Sequence, residues 1–107
     1  MSNTEIETYA LGLICEESGE AQQIVGKALR FGIDTPGVKD PLTGHVDMTV
    51  TPRMRLEVEL GDLFAAADYA IARGMLDGDK IAAARIRKRD KLLNPESTDN
   101  LGRRLAP

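Results

Sequence analysis

The sequence has no Trp, a single Cys and a single His, and only 4% of its residues are aromatic. Cys15 has no partner for an internal disulfide, which excludes a disulfide-stapled secreted domain and any thiolate zinc cluster. It is expected as a small packed hydrophobe. The lone His45 argues against a di-iron helical bundle, which requires Glu-x-x-His on two helices. Long hydrophobic runs are also missing. The longest, Tyr9 to Cys15, contains Gly12 and falls far short of the roughly 20 apolar residues of a membrane helix. No signal-peptide pattern precedes it, so the expectation is a cytoplasmic protein with no membrane partner. Nor is there an excess of positive charge: 14 Lys and Arg stand against 17 Asp and Glu, for a net charge of −3. No basic field awaits a nucleic-acid polymer, and none is expected as a partner. With so few aromatics the core must come from Leu, Ile, Val, Ala and Met, a palette suited to helix packing. At 107 residues the chain accommodates one modest core and excludes TIM barrels and full dinucleotide-binding folds.

Thr4 followed by Glu7 makes a capping-box pattern, and Ile6, Ala10, Leu13, Ile24, Ala28 and Phe31 recur at helical spacing. A first helix is predicted from about Glu5 to Phe31, closed by Gly32. Gly12, Gly19 and Gly26 fall on one stripe within it, either tolerated in a bent helix or forming a face for close helix approach. Residues 32–51 show no helical period and read as a long loop, with a short strand expected within His45 to Val50. Thr51 as N-cap and Pro52 at the first helical position open a second helix through Leu56, Leu60, Leu63, Ala67, Ala70 and Ile71, closed by Gly74. Asp77 or Asp79 caps a third through Ile81, Ala84 and Leu92, stopped by Asn94-Pro95. The expected fold is an all-α helical bundle of three to four helices over residues 1–95, with a tail over 96–107 that is a short helical turn or unordered.

The first helix carries Glu16-Glu17-Ser18-Gly19-Glu20 and the second Glu59-Leu60-Gly61-Asp62. A spacing of three puts Glu17 with Glu20, and Glu59 with Asp62, on one face about a turn apart. Continuing the apolar stripe of the first helix places Glu17 and Glu20 between Leu13 and Ile24. In the second, the row 59, 63, 66, 70 sets Glu59 level with Leu63 and Ala66, with Asp62 beside it. Four carboxylates thus point toward a shared interior, where desolvation and mutual repulsion push such groups toward protonation. A divalent cation resolves the conflict, and oxygen ligands without Cys or His favour Mg²⁺ or Mn²⁺. Acidic pairs three apart also arise on solvated faces, and a surface charge cluster stands as the other reading.

Glu-Glu-x-x-Glu on one helix followed by Glu-x-x-Asp on the next resembles the signature of the MazG-like, all-α nucleoside triphosphate pyrophosphohydrolases. Lys27-Ala28-Leu29-Arg30-Phe31-Gly32, Glu59-Leu60-Gly61-Asp62-Leu63 and the basic stretch Arg85 to Lys91 are similar to the family too, and the likeness covers most of residues 5 to 93. The 38 residues between Glu20 and Glu59 exceed the family's usual spacing, and the extra length falls in the loop at 32–51. The resemblance implies that Glu17, Glu20, Glu59 and Asp62 hold Mg²⁺. Glu16 is implied to serve a second ion or the attacking water, and the reaction to be hydrolysis of an NTP or dNTP to NMP and pyrophosphate.

Lys27 lies seven residues past Glu20, about 10 Å along nearly the same face, a reach suited to a β- or γ-phosphate. Arg30 is a second candidate, although a cation in the last turn also stabilises the helix dipole. Lys88 and Lys91 share one side of the third helix and could close over phosphate, while the charge run around them also fits a solvated face. Tyr69 suits a packed core position or stacking on a base. Three helices do not enclose a nucleotide, so a homodimer or homotetramer is expected, as members of the resembled family form. The competing functional class is a non-catalytic helical interaction or regulatory module that docks a partner on the glycine stripe.

Overall fold

A computed structural model describes residues 1–37, 39, 42–96, 98 and 102–103. It is all-helical, with α1 at Asn3–Phe31, α2 at Pro52–Ala72 and α3 at Gly78–Leu93, and no strand among the described residues. The expectation for the tail falls mostly outside those residues. The chain divides into two compact units, Met1–Met75 and Leu76–Pro107.

The first unit is α1, the loop and α2. Two overlapping capping boxes compete at the start of α1, Ser2-x-x-Glu5 and Thr4-x-x-Glu7, and Ser2 prevails: its hydroxyl accepts from Glu5 N at 3.1 Å. Thr4 is therefore inside the helix, where its carbonyl accepts from the Thr8 hydroxyl. Thr51 caps α2 as expected, accepting from Met54 N, with Pro52 following. The other end closes in a Schellman motif, Met75 N to Ala70 O and Gly74 N to Ile71 O, with Gly74 at φ +77°.

The two helices run antiparallel. Ile33, just past α1, accepts from Arg53 N, while at the opposite end Tyr9 meets Tyr69 edge-on, ring centroids 5.6 Å apart. Between them the buried apolar residues are Ala10, Ala21 and Ile24 of α1 and Ala66 and Ala70 of α2. Such small side chains let the helix axes approach, but they bury little area. Several stripe positions are accordingly less covered than expected: Phe31 and Leu60 are exposed, and Leu13 and Leu63 are half-buried. Cys15 is exposed rather than packed, because it lies about 200° around the helix from Leu13. Among the described residues the glycine stripe makes no close approach, since a Cβ at Gly12, Gly19 or Gly26 would meet nothing within 4 Å.

The short strand expected at His45 to Val50 reduces to one antiparallel bridge, Lys39 with Val46. The reason is Asp47, whose carboxylate accepts from Thr49 N at 2.8 Å and from the Thr49 hydroxyl at 2.6 Å, while its carbonyl accepts from Val50 N. This turn curls the chain out of an extended run. In the second unit Asp77 caps α3, accepting from Asp79 N and Lys80 N, and no residue of α3 is buried, Ile81, Ala84 and Leu92 included.

Candidate metal centre

Of the four carboxylates that the two helical periods place inward, three form one close group and Glu20 lies outside it. One oxygen each of Glu17, Glu59 and Asp62 lie within 4.8 Å of one another. Glu59 is 8% exposed, Glu17 is half-buried and Asp62 sits at the rim. The Oε2 atoms of Glu17 and Glu59 are shielded from solvent and have no hydrogen-bond donor. Burial raises the carboxyl pKa of Glu17 above its ordinary value, and the negative charges of Glu20, Asp62 and Glu16 add to the effect. Burial likewise raises Glu59, with Glu20 and Asp62 reinforcing it and Arg55 opposing. Glu20 lies close enough to both to raise their pKa values further. The donor set is therefore all hard oxygen and short of counter-charge, a chemistry that suits a hard divalent cation such as Mg²⁺ or Mn²⁺.

Glu20 and Glu59 also line a cavity of about 330 Å³ together with Gln23, Lys27 and Arg55. Glu17 and Asp62 border a shallower one of about 400 Å³ beside Tyr9 and Tyr69. The acidic cluster thus separates a cationic side from an aromatic side. Tyr69, half-buried against Tyr9, takes the packed position that its sequence context allowed.

The other expected residues divide by location. Glu16 is exposed and reaches the cluster only as a neighbouring charge on Glu17. Lys27 reaches the loop, donating from Nζ to the Lys39 carbonyl at 3.1 Å. Arg30 is exposed in the last turn of α1, its guanidinium 4.9 Å from the Phe31 ring centroid, a cation–π contact rather than a place beside the carboxylates. Lys88 and Lys91 belong to the second unit, where both are exposed and Lys88 lines a cavity of about 360 Å³ with Arg85, Arg89, Leu92 and Leu93.

Sequence reasoning overlooked two arginines. Arg55 faces the same cavity as Glu59, and its position four residues earlier on α2 was the available signal. Arg53 grips Asp34 through two bonds, Nε at 2.7 Å and a terminal nitrogen at 2.9 Å, closing the loop onto the start of α2 and holding the Asp34 carboxyl below its ordinary pKa. No local signal announced that pair. No family model, curated protein or solved structure matches the chain.

Proposed function

We propose that the chain is a Mg²⁺-dependent nucleoside triphosphate pyrophosphohydrolase of the MazG-like type, converting an NTP or dNTP and water to NMP and pyrophosphate in a nucleotide-pool housecleaning role. The observation that carries this reading is the pair of donor-less, solvent-shielded oxygens on Glu17 and Glu59, facing Asp62 across two helices. Buried carboxylates left in that condition are costly, and a cation compensates them.

Glu17, Glu59 and Asp62 would hold Mg²⁺, with Glu20 alongside, and the ion supplies charge neutralisation and Lewis acidity for phosphoryl transfer. The chain's own residues do the rest. Lys27 has three N–H donors, of which one is engaged by the Lys39 carbonyl, leaving two to turn toward phosphate oxygens. Arg55, lining the same cavity, adds a fork suited to a second phosphate. Glu16, exposed and next to Glu17 in the chain, would serve the attacking water or a second ion, the role that the family resemblance implies for it. The water oxygen bonds to the α-phosphorus and gives up its proton to solvent, the bridging P–O bond to the β-phosphate breaks, and pyrophosphate carries the electron pair away. No covalent enzyme intermediate is required.

Exposed apolar residues on the helices support self-association into a homodimer or homotetramer. They equally favour the second reading, a helical interaction module without catalysis. The deciding experiment incubates purified protein with each common NTP and dNTP, with and without Mg²⁺, and separates NMP, NDP, phosphate and pyrophosphate. Metal-dependent NMP plus pyrophosphate from any substrate is the expected result. No turnover anywhere, joined to a melting temperature indifferent to Mg²⁺, would leave the module reading in place.

A further inference from the structure

A second cavity, of about 320 Å³, shares Lys27 with the carboxylate cavity and is bounded by the end of α1, the start of α2 and the loop between them. Its walls are the ring of Phe31, which is 59% exposed, and the pyrrolidine of Pro36, with the buried Pro52 beneath them. Two further lining residues have their polar groups engaged: the Thr35 hydroxyl donates to the Phe31 carbonyl, and Gly37 N donates to Val50 O at 3.1 Å. What remains toward the space is an aromatic face, the Pro36 ring and the side chains of Lys27 and Lys39, with no carboxylate among the described lining residues. The volume lies at the lower end of small-ligand pockets, about 300–1,000 Å³.

The loop that closes this space is braced. The Asp34–Arg53 pair, the Arg53 N to Ile33 O bond and the Gly37 to Val50 bond tie its two ends together. Gly37 stands at φ +85°, and a Cβ there would lie 2.7 Å from Met48 Sδ, so the fold of the loop requires glycine. Lys27 then lines both cavities, and its amine is bonded to the loop at the Lys39 carbonyl.

The geometry points to this cavity as the base pocket of the nucleoside triphosphate. The heteroaromatic base lies against Phe31, turns acceptor atoms toward Lys39 and Lys27, and directs its phosphates along Lys27 to Arg55 and the carboxylates. The inference rests on the reading of those carboxylates as a triphosphate site, and it makes the loop at 32–51 the element that selects the substrate. A planar ring with acceptor edges matches an aromatic wall flanked by ammonium donors, and base–aromatic stacking tolerates any base while the lysines favour keto-bearing ones.

The test titrates ¹⁵N-labelled protein in Mg²⁺ with the α,β-methylene triphosphates of the four common ribonucleosides and, separately, with inorganic tripolyphosphate. The methylene analogues are expected to shift the amides of Thr35 and Gly37 and to bind at least tenfold tighter than tripolyphosphate. Phe31→Ala should weaken the analogues about tenfold and leave tripolyphosphate unchanged. Phe64→Ala, the same truncation on α2 outside the cavity lining, should leave both unchanged. Silent Thr35 and Gly37 amides, equal affinity for tripolyphosphate, or Phe31→Ala binding like the parent would each overturn the assignment. Failure of the pyrophosphohydrolase reading is recorded elsewhere, in a product profile without NMP, whatever the analogues show.

Discussion

Glu59 concentrates the chemistry of the site, because it is the one charged side chain among the described residues to be buried and one of its oxygens has no donor. Replacing it with Gln removes the buried charge while keeping the shape. In EDTA, Glu59→Gln is therefore expected to melt no lower than the parent. The parent should rise by about 4 °C or more with Mg²⁺, a shift the variant loses. Parallel thermal melts check this, and an equal Mg²⁺ response in both proteins would remove Glu59 from the metal centre. The same carboxylates set a pH dependence. Glu17 and Glu59 have folded pKa values raised above the ordinary 4.5, so the folded chain binds protons more tightly than the unfolded one, and metal-free stability falls as pH rises from there through the raised values. Asp34 and Asp47 act oppositely. Hydrogen bonds from Arg53 and Thr49 lower them below 3.8, so their contribution is present above that value and is lost as pH falls through the depressed pKa values. Melting curves across pH should slope down on both sides without metal, and Mg²⁺ should flatten the upper slope. An upper slope unchanged by Mg²⁺ would count against cation binding at this cluster.

At the scale of the helix, two glycines make opposite predictions. Gly74 closes α2 at φ +77°, a conformation costly for a side chain, so Gly74→Ala should destabilise by about 1 kcal/mol. Gly12 lies inside α1 with open space where a Cβ would go, so Gly12→Ala should stabilise by up to about 1 kcal/mol. Urea titrations of the two variants decide it. A Gly12→Ala protein that is less stable, or that loses self-association, would show that the glycine stripe is a contact between copies. The helices were legible because their signals are local: Thr51-Pro52, Asp77 and the apolar spacing each act within a turn or two. The start of α1 was misplaced for a local reason as well, since Ser2 and Thr4 offer equivalent hydroxyls and the helix lengthens by about half a turn by using the earlier one. The apparent strand at His45 to Val50 failed because alternation over so few residues carries less weight than one Asp47 side chain bonding its own backbone.

Taken as a whole, the chain buries six apolar residues among those described, four alanines with Ile24 and Pro52, and leaves Leu11, Val25 and Leu29 exposed along one face of α1 and Leu60 and Phe64 on one face of α2. That much uncovered surface on so small a core argues for self-association at micromolar concentration. Light scattering should give a dimer or larger, and Leu29→Glu should shift it toward monomer without loss of helical circular dichroism. A monomeric parent would contradict the expectation. The sequence by itself determined the all-helical class, the three helices and the pairing of Glu17 with Glu20 and of Glu59 with Asp62 on one helix face each, since a period of 3.6 residues fixes which side chains share a face. Only the tertiary structure decided which carboxylates lose water, that Arg55 and Lys27 share a cavity with Glu20 and Glu59, and that Asp34, Arg53 and Lys39 brace a pocket beside them. Those relations join residues far apart in the chain, and they depend on how α1 and α2 pack and how the loop between them closes, neither of which a local period encodes.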